Sequence, residues 1–377
     1  MMPRICFVES QTYSVLNPES SIISTGGEAV QHSLLAREFA NQGWTVNVVC
    51  LDVGQEDGEY LDGITIRKTY RRRAGLPGFR FLYPRVFKLW QALKKADADV
   101  YYQSCAGFTT GVVAKFAKRH GRKMIFRVAH DTDCVPGQQL IKTSRDRWLY
   151  EYGLRSADLI SVQSDVQAKA LEKYYALPSV NVKMIVQSPK ESLTGERDID
   201  VLWVNNLRAF KRPDIVWDIA TQLPNVNIVM IGGRMRGDEK LYQDTESAAT
   251  KLPNLTFLGA VPYSEVNSYF ARAKLFLNTS DSEGFPNSYL QAWIRGVPVV
   301  SYFDPDGLIA SQRIGAKVAT QNDFCEPIER LLRSAEERNE SGARARQFAN
   351  DNYSPAAIVQ QYRELFESKF GVDPDND

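Results

Sequence analysis

Short runs of apolar residues alternate along the chain with helix-length stretches in which apolar positions recur every three or four residues. A run that is apolar throughout, rather than at every second position, marks a strand buried on both faces, as in a parallel sheet covered by helices. On that basis RICFV, TVNVVC, GITIRK, DVYYQ, KMIFRVA, DLISVQ and VKMIV are strands of a first half. VLWV, VNIVMIG, LTFLG, AKLFLNT, VPVVSY and AKVAT are strands of a second. Ser164 and Gln167 stand at capping-box spacing ahead of the helical stretch VQAKALEKYY. Helices follow Pro213, Ser264 and Pro286, proline being tolerated in a first turn whose N–H lacks an intrahelical partner. SPAAIVQQYRELFESKF is a last helix and GVDPDND a frayed end. From Gln187 to Asp200 the chain is polar and broken by Pro and Gly, which suits a connection. The pattern predicts an α/β protein of two doubly wound, Rossmann-like domains, residues 1–188 and 197–353. Ligands of such sheets sit outside the carboxyl ends of the strands, so two of them imply a cleft where loops meet helix N-termini.

Composition narrows the function classes. The chain has 377 residues, 44% of them hydrophobic, enough for two cores. Its 46 basic and 45 acidic side chains nearly cancel, so net charge gives no reason to expect nucleic acid as the main partner. Five cysteines lie far apart with no Cys-x-x-Cys pair, which disfavours a zinc site or a disulfide framework and fits a reducing compartment. The start of the chain is too weakly apolar for a signal peptide, and no run reaches the roughly 18 apolar residues of a membrane span. A cytoplasmic protein is expected.

The candidate chemistry clusters at predicted strand ends. In SDSEGFPNSYLQ, Glu283 leaves a strand just before a helix that starts near Asn287; its carboxylate suits vicinal sugar hydroxyls, and the N–H groups of Phe285 and Asn287 suit ligand oxygens. Gln291 lies one turn inside that helix, able to face the same cleft. The same residues also fit an acid that merely favours the positive helix end and a solvated glutamine. In VLWVNNLRAFKRPD, Arg208 and Lys211 occupy a loop after a buried strand, where cations would stabilise charge gathering on a departing phosphate; two ordinary surface cations are the alternative. Gly26 and Gly27 precede a helix with Val30, Leu34 and Leu35 on one side, and either allow close approach to a phosphate or simply form a turn. His130 follows a buried strand in FRVAHDTDC, with Asp131 and Asp133 beyond it; each fits a cleft-edge or a plain turn role.

The run SDSEGFPNSYLQAWIRGVPVV resembles the Glu-x7-Glu region of the retaining nucleotide-sugar glycosyltransferases of the GT-B fold, glycosyltransferase family 4. The resemblance extends over nearly the whole chain, including YEYGLRSADLISVQSD, and is most specific at 278–300. It implies that Glu283 contacts the transferred sugar and that Arg208 and Lys211 grip the donor diphosphate. Gly26 and Gly27 would face the donor, and His130 would contact the sugar. Gly233 and Val261, in IGGRMRG and LTFLGAVPYSEV, would enclose the base by main-chain groups, while Gly284, Phe285 and Asn287 complete the donor loop. The sequence departs from the family at Gln291, where the second Glu binds the ribose. An amide can still accept from one hydroxyl and donate to the other, without the charge that makes carboxylate bonds about twice as strong. Asn205 and Asn206 stand where many members carry glycine. The resemblance further implies an acceptor-binding first domain, a donor-binding second one, a helix at 354–370 returning to the first, and transfer without a metal or other cofactor.

Residues 67–95 hold ten Lys or Arg and no acid, interleaved with Phe, Tyr, Trp and Leu. Such a stretch suits peripheral contact with an anionic membrane at the inner face, and a glycan, lipid-linked or otherwise anionic acceptor. A solvated helix face would look similar; RNA is disfavoured because no recognition motif accompanies the charge. Polysaccharide, lipopolysaccharide or glycolipid assembly is the expected setting. A catalytically silent nucleotide-sugar sensor or scaffold is the main rival, and an epimerase, which needs a further base not evident near Glu283, the lesser one.

Overall fold

Apolar runs become parallel strands here because helices cover both faces of each sheet and leave no face for polar residues. The chain was studied as a computed structural model that describes residues 3–17, 19, 26–189, 195–235 and 237–371. Residues 24 and 25, ahead of the glycine pair, 190–194 of the polar connection, and the frayed end from 372 lie outside the described residues. The chain divides into two compact units, Met1–Ile185 with Pro355–Asp377, and Val186–Ser354.

The first unit holds an eight-stranded sheet: β1 (Arg4–Val8), β2 (Thr45–Cys50), β3 (Tyr60–Leu61), β4 (Ile64–Lys68), β5 (Val100–Ser104), β6 (Lys123–Arg127), β7 (Leu159–Val162) and β8 (Val180–Asn181). Its order is β3-β4-β2-β1-β5-β6-β7-β8, parallel except where β3 pairs with β4. VKMIV does not join it. Val182, Met184 and Ile185 are buried, yet the main chain of Ile185 is taken by a side chain: Gln31 Nε2 donates to its carbonyl at 2.8 Å and its N–H donates to Gln31 Oε1 at 2.9 Å. An amide that occupies both backbone groups replaces the ladder a strand would need. Ser164 caps the helix Asp165–Tyr175 as the sequence suggests, its Oγ accepting from Gln167 N at 3.2 Å.

The helix Gly27–Asn41 is buried all round from Ala29 to Ala36, including Gln31, His32 and Ser33, rather than on one side only. The cause is the last helix, Pro355–Phe370, which packs on it: Phe366 stacks on Phe39 at 5.9 Å between ring centroids and meets Trp44 at 5.3 Å. Tyr362 adds an Oη contact of 3.1 Å with Tyr102. Ile358, Val359, Tyr362 and Phe366 are all buried, each worth about 1.5–3 kcal/mol, so a helix distant in sequence contributes substantially to this core.

The second unit holds a wholly parallel sheet of β9 (Ile199–Val204), β10 (Ile228–Ile231), β11 (Leu255–Phe257), β12 (Ala273–Asn278), β13 (Val299–Ser301) and β14 (Gly315–Lys317), in the order β11-β10-β9-β12-β13-β14. Strand order therefore reverses between β9 and β12, as it does between β1 and β5 in the first unit. At such a reversal the connections leave in opposite directions and open a crevice at the carboxyl ends. Helices Pro213–Gln222, Tyr263–Arg272 and Asn287–Trp293 begin beyond that edge.

Candidate active site

The reversal in the second unit places the loop after β9, with Arg208 and Lys211, beside the loop after β12, with Glu283. Buried hydrogen bonds join the two. Trp203 Nε1 donates to Thr279 Oγ1 at 3.0 Å, Thr279 Oγ1 to the Lys211 carbonyl at 2.7 Å, and Asp281 N to the Phe210 carbonyl at 2.9 Å. Across this junction Lys211 Nζ forms an ion pair with Glu283 Oε1, which also accepts from Ser280 Oγ at 2.7 Å. Their side chains are only 13% and 9% exposed, so each charge depends on the other; removing one strands its partner in a poorly solvated place. Glu283 Oε2 has no partner among the described residues and is not sealed from solvent.

Arg208 is half-buried and has no ion-pair partner among the described residues, which leaves its guanidinium available. Arg212 is its opposite. It adopts φ 49° before the helix Pro213–Gln222 and pairs with Asp214 at 2.6 Å, with Asp281 at 3.6 Å and with Gln321. Two neighbouring arginines thus divide between an open cation and a loop fastener. Asn205 and Asn206 reach this turn without positive φ, so the glycine common at that place is not required. A glycine is required at 232, where a Cβ would collide with the Asn205 carbonyl.

The other anticipated residues of this unit line the same edge. Gly233 follows β10, its carbonyl accepting from Leu207 N at 3.2 Å, and Val261 is half-buried in the loop after β11. Gly284 and Phe285 are buried. The Phe285 ring packs inward on Trp293 and Tyr353, at 6.1 and 5.6 Å between centroids, so only its main chain can serve a ligand. Asn287 opens the following helix. Gln291, half-buried on that helix, donates from Nε2 to Asn267 Oδ1 at 3.2 Å. Ser280 and Thr279, which fix Glu283 and Lys211, were not anticipated; polar residues directly after an apolar strand, in LFLNTSDSEG, were the available signal.

Gly26, Gly27 and His130 belong to the first unit. Gly26 and Gly27 open the helix whose Glu28 accepts from Ser104 Oγ at 2.8 Å. His130 follows β6 in a closed turn: its Nδ1 lies 3.2 Å from Thr132 N and 2.9 Å from Thr132 Oγ1, and its N–H donates to Asp133 Oδ2 at 3.1 Å. Asp131 accepts from Gln167 Nε2 at 2.9 Å. Burial raises the pKa of Asp133 to about 7, against the hydrogen bonds from His130 and Ala129 that favour its charged form. Arg127 also escaped the sequence reading. It is fully buried in β6, where burial pushes its pKa down and Tyr102 and Glu28 push it up, with a net rise.

Residues 26–186 match the glycosyl transferase 4-like domain and residues 186–348 the glycosyl transferases group 1 domain. The chain belongs to the group 1 glycosyltransferases. An O-antigen biosynthesis glycosyltransferase of Escherichia coli, WbnH, is 23% identical over 299 residues, covering 74% of this chain and 82% of the relative. Among solved structures, sucrose-phosphate synthase of Thermosynechococcus elongatus superposes with a TM-score of 0.77 at 17% identity, over 98% and 99% of the two chains. Staphylococcus aureus TarM, solved with fondaparinux, α-GlcNAc-glycerol and UDP, superposes with a TM-score of 0.71 at 12% identity, over 97% and 100%. This glycosyltransferase therefore has the GT-B fold of two doubly wound units. Among the described residues no three His, Cys, Asp or Glu side chains gather as a metal site, and no helix is long and apolar enough to cross a membrane.

Proposed function

We propose that the enzyme transfers a sugar from a nucleoside diphosphate sugar to a hydroxyl acceptor with retention of anomeric configuration. The observation that carries this reading is the carboxylate–cation arrangement at the second unit's crevice: Glu283 with one oxygen free, Lys211 paired to the other, and Arg208 unpaired beside them. In this reading the diphosphate draws Lys211 and Arg208, and Glu283 turns to the sugar hydroxyls. Gly233 and Val261 meet the base, and Gly284, Phe285 and Asn287 meet the sugar and phosphate through main-chain groups. Gln291 holds the ribose. The first unit takes the acceptor.

The acceptor oxygen bonds to the anomeric carbon on the face from which the diphosphate departs. The carbon–oxygen bond to the diphosphate breaks, and the departing phosphate oxygen takes the acceptor's proton. Arg208 and Lys211 stabilise the charge gathering there, a term worth about 10²–10³-fold per donor in comparable sites. No metal is assigned a part. Glycan and lipid-linked acceptors in polysaccharide, lipopolysaccharide or glycolipid assembly fit this reading, supported by the E. coli relative's name. So does peripheral attachment to the inner face of an anionic membrane through residues 67–95. A thermal-shift screen of UDP-, GDP- and ADP-sugars followed by turnover assays tests it. One donor should both stabilise the protein and be consumed; stabilisation without turnover would make the protein a silent sensor.

A further inference from the structure

Beside the first unit's strand reversal lie two adjoining cavities of different character. The smaller, about 210 Å³, opens at the carboxyl ends of β1 and β5; its polar lining includes Glu9, Ser10, Gln103 and Ser104. The larger, about 420 Å³, is lined by Lys68, Arg71, Lys88 and Lys95 against Asp52 and Asp57. Thr69 and Tyr70 line both, so they share a wall. The four cations are incompletely neutralised: Asp52 stands 3.9 Å from Lys68 and 3.5 Å from Arg71, Asp57 holds Lys95 at 2.6 Å, and Lys88 has no ion-pair partner among the described residues. Pro84 also lines this cavity and belongs to a ridge that exposes Leu76, Phe79, Leu82 and Tyr83, at 74%, 75%, 67% and 60%. Arg72, Arg73 and Arg80 are exposed on the same segment. A monomeric protein rarely leaves so many large apolar side chains in water without something to cover them.

We propose that the cationic cavity is a subsite for the phosphate that joins an acceptor sugar to a lipid, an inference that rests on the transferase reading above. The smaller cavity, where Glu9, Ser10, Gln103 and Ser104 stand among apolar residues, takes the sugar, Lys88 and its neighbours take the phosphate, and the apolar ridge with its arginines meets the lipid at an anionic bilayer. A phosphate ester carries one to two negative charges and several acceptor oxygens, which matches a cation excess better than any neutral glycan does. The ridge supplies the apolar burial that a soluble sugar phosphate could not use.

Decyl phosphate below its micellar concentration, decyl glucoside with the same chain but no charge, and inorganic pyrophosphate separate these contributions when titrated into the full-length protein. Decyl phosphate and pyrophosphate should bind, and in an Arg208→Ala background, which lacks the open cation of the donor crevice, Lys88→Glu should weaken both at least about tenfold while leaving decyl glucoside unchanged. Lys88→Gln, the milder variant, should weaken them about threefold. Phe79→Ser with Leu82→Ser should reduce decyl phosphate binding and flotation with phosphatidylglycerol vesicles, but not pyrophosphate binding. Unaltered decyl phosphate binding by both Lys88 variants overturns the proposal. So does binding to phosphatidylglycerol vesicles with none to decyl phosphate, which would reduce the patch to headgroup attraction. Donor-induced thermal stabilisation, measured on the same variants with Arg208 intact, should persist; its absence from the wild-type protein would count against the transferase reading, separately from the subsite.

Discussion

The crevices at the two strand reversals share a topology and differ in how they treat an acid. In the second unit Glu283 is buried against Lys211 and fastened by Ser280. In the first, Glu9 follows β1, the counterpart of β9 across the reversal, and accepts only from its own loop, from Ser10 Oγ at 3.2 Å, Gln11 N at 2.6 Å and Thr12 Oγ1 at 3.0 Å. Burial raises the pKa of Glu9, and nearby Glu28 adds to the rise. One crevice is built around a fixed charge pair, the other around an acid that its surroundings push toward the neutral form. The same α/β edge can therefore carry a paired charge or a lone buried acid, depending on whether a cation is supplied by the neighbouring loop.

Breaking the charge pair should have the largest effect. Glu283→Ala strands Lys211 and, in the proposed reading, removes the sugar contact, and should lower the transfer rate by roughly 10³-fold. Gln291→Ala, which in the proposed reading removes a ribose contact made similarly in ground and transition states, should raise KM about tenfold or less with little change in kcat. Initial rates with the stabilising donor decide, and equal losses in the two variants would contradict the division of roles. Next in size is the pair of arginines. Arg208→Ala should lower kcat about 10²-fold with little change in melting temperature. Arg212→Ala should do the reverse, lowering the melting temperature through loss of Asp214, Asp281 and Gln321 while most turnover survives. If both variants lose turnover alike, the open cation and the loop fastener are not distinct.

The difference between the crevices also decides what could be read from the sequence. Both sheets were legible, because a parallel strand buried on two faces needs an unbroken apolar run. Glu283, Arg208 and Lys211 were legible as candidates because they sit where strands end, but their mutual pairing was not: 72 residues separate Lys211 from Glu283, and only the adjacency of β9 and β12 brings them together. VKMIV was misread because pattern alone cannot show Gln31 taking the main chain of Ile185. The helix Gly27–Asn41 looked one-sided because the helix that covers its other side lies more than 300 residues later. In the first unit the cavity walls come from several separate segments, which leave no spacing to recognise.

Asp133 extends the contrast to pH, with an effect smaller than either of the two above. Its folded pKa of about 7 lies above the ordinary 3.8, so its stabilising contribution is complete below about pH 4 and is lost as pH rises through 7. Wild-type protein should become less stable between pH 5 and 8 by on the order of 3 kcal/mol from this group. Asp133→Asn, which keeps an acceptor for the His130 N–H, should flatten the curve and be relatively more stable at pH 8. Denaturant midpoints at pH 5 and 8 measure this, and an unchanged slope in the variant would remove the buried-acid account of the first unit.

The smallest expected change tests whether the second crevice is complete without its usual second acid. Gln291→Glu places a carboxylate about one turn inside the helix Asn287–Trp293, where the neighbouring Asn267 can still donate to it. If Gln291 holds the ribose, a carboxylate accepts from both hydroxyls with charge assistance, and donor affinity should stay equal or rise about two- to fivefold by calorimetric titration. The Lys211–Glu283 pair already balances its own charge, and the cation beside the new carboxylate is Arg295, whose Nη1 donates to the Gln291 carbonyl at 3.1 Å. A fall in affinity of tenfold or more would mean that the position does not meet the ribose. The amide would then serve chiefly to tie Asn267 to the helix Asn287–Trp293, and the second crevice would recognise its donor through the cations and Glu283 alone.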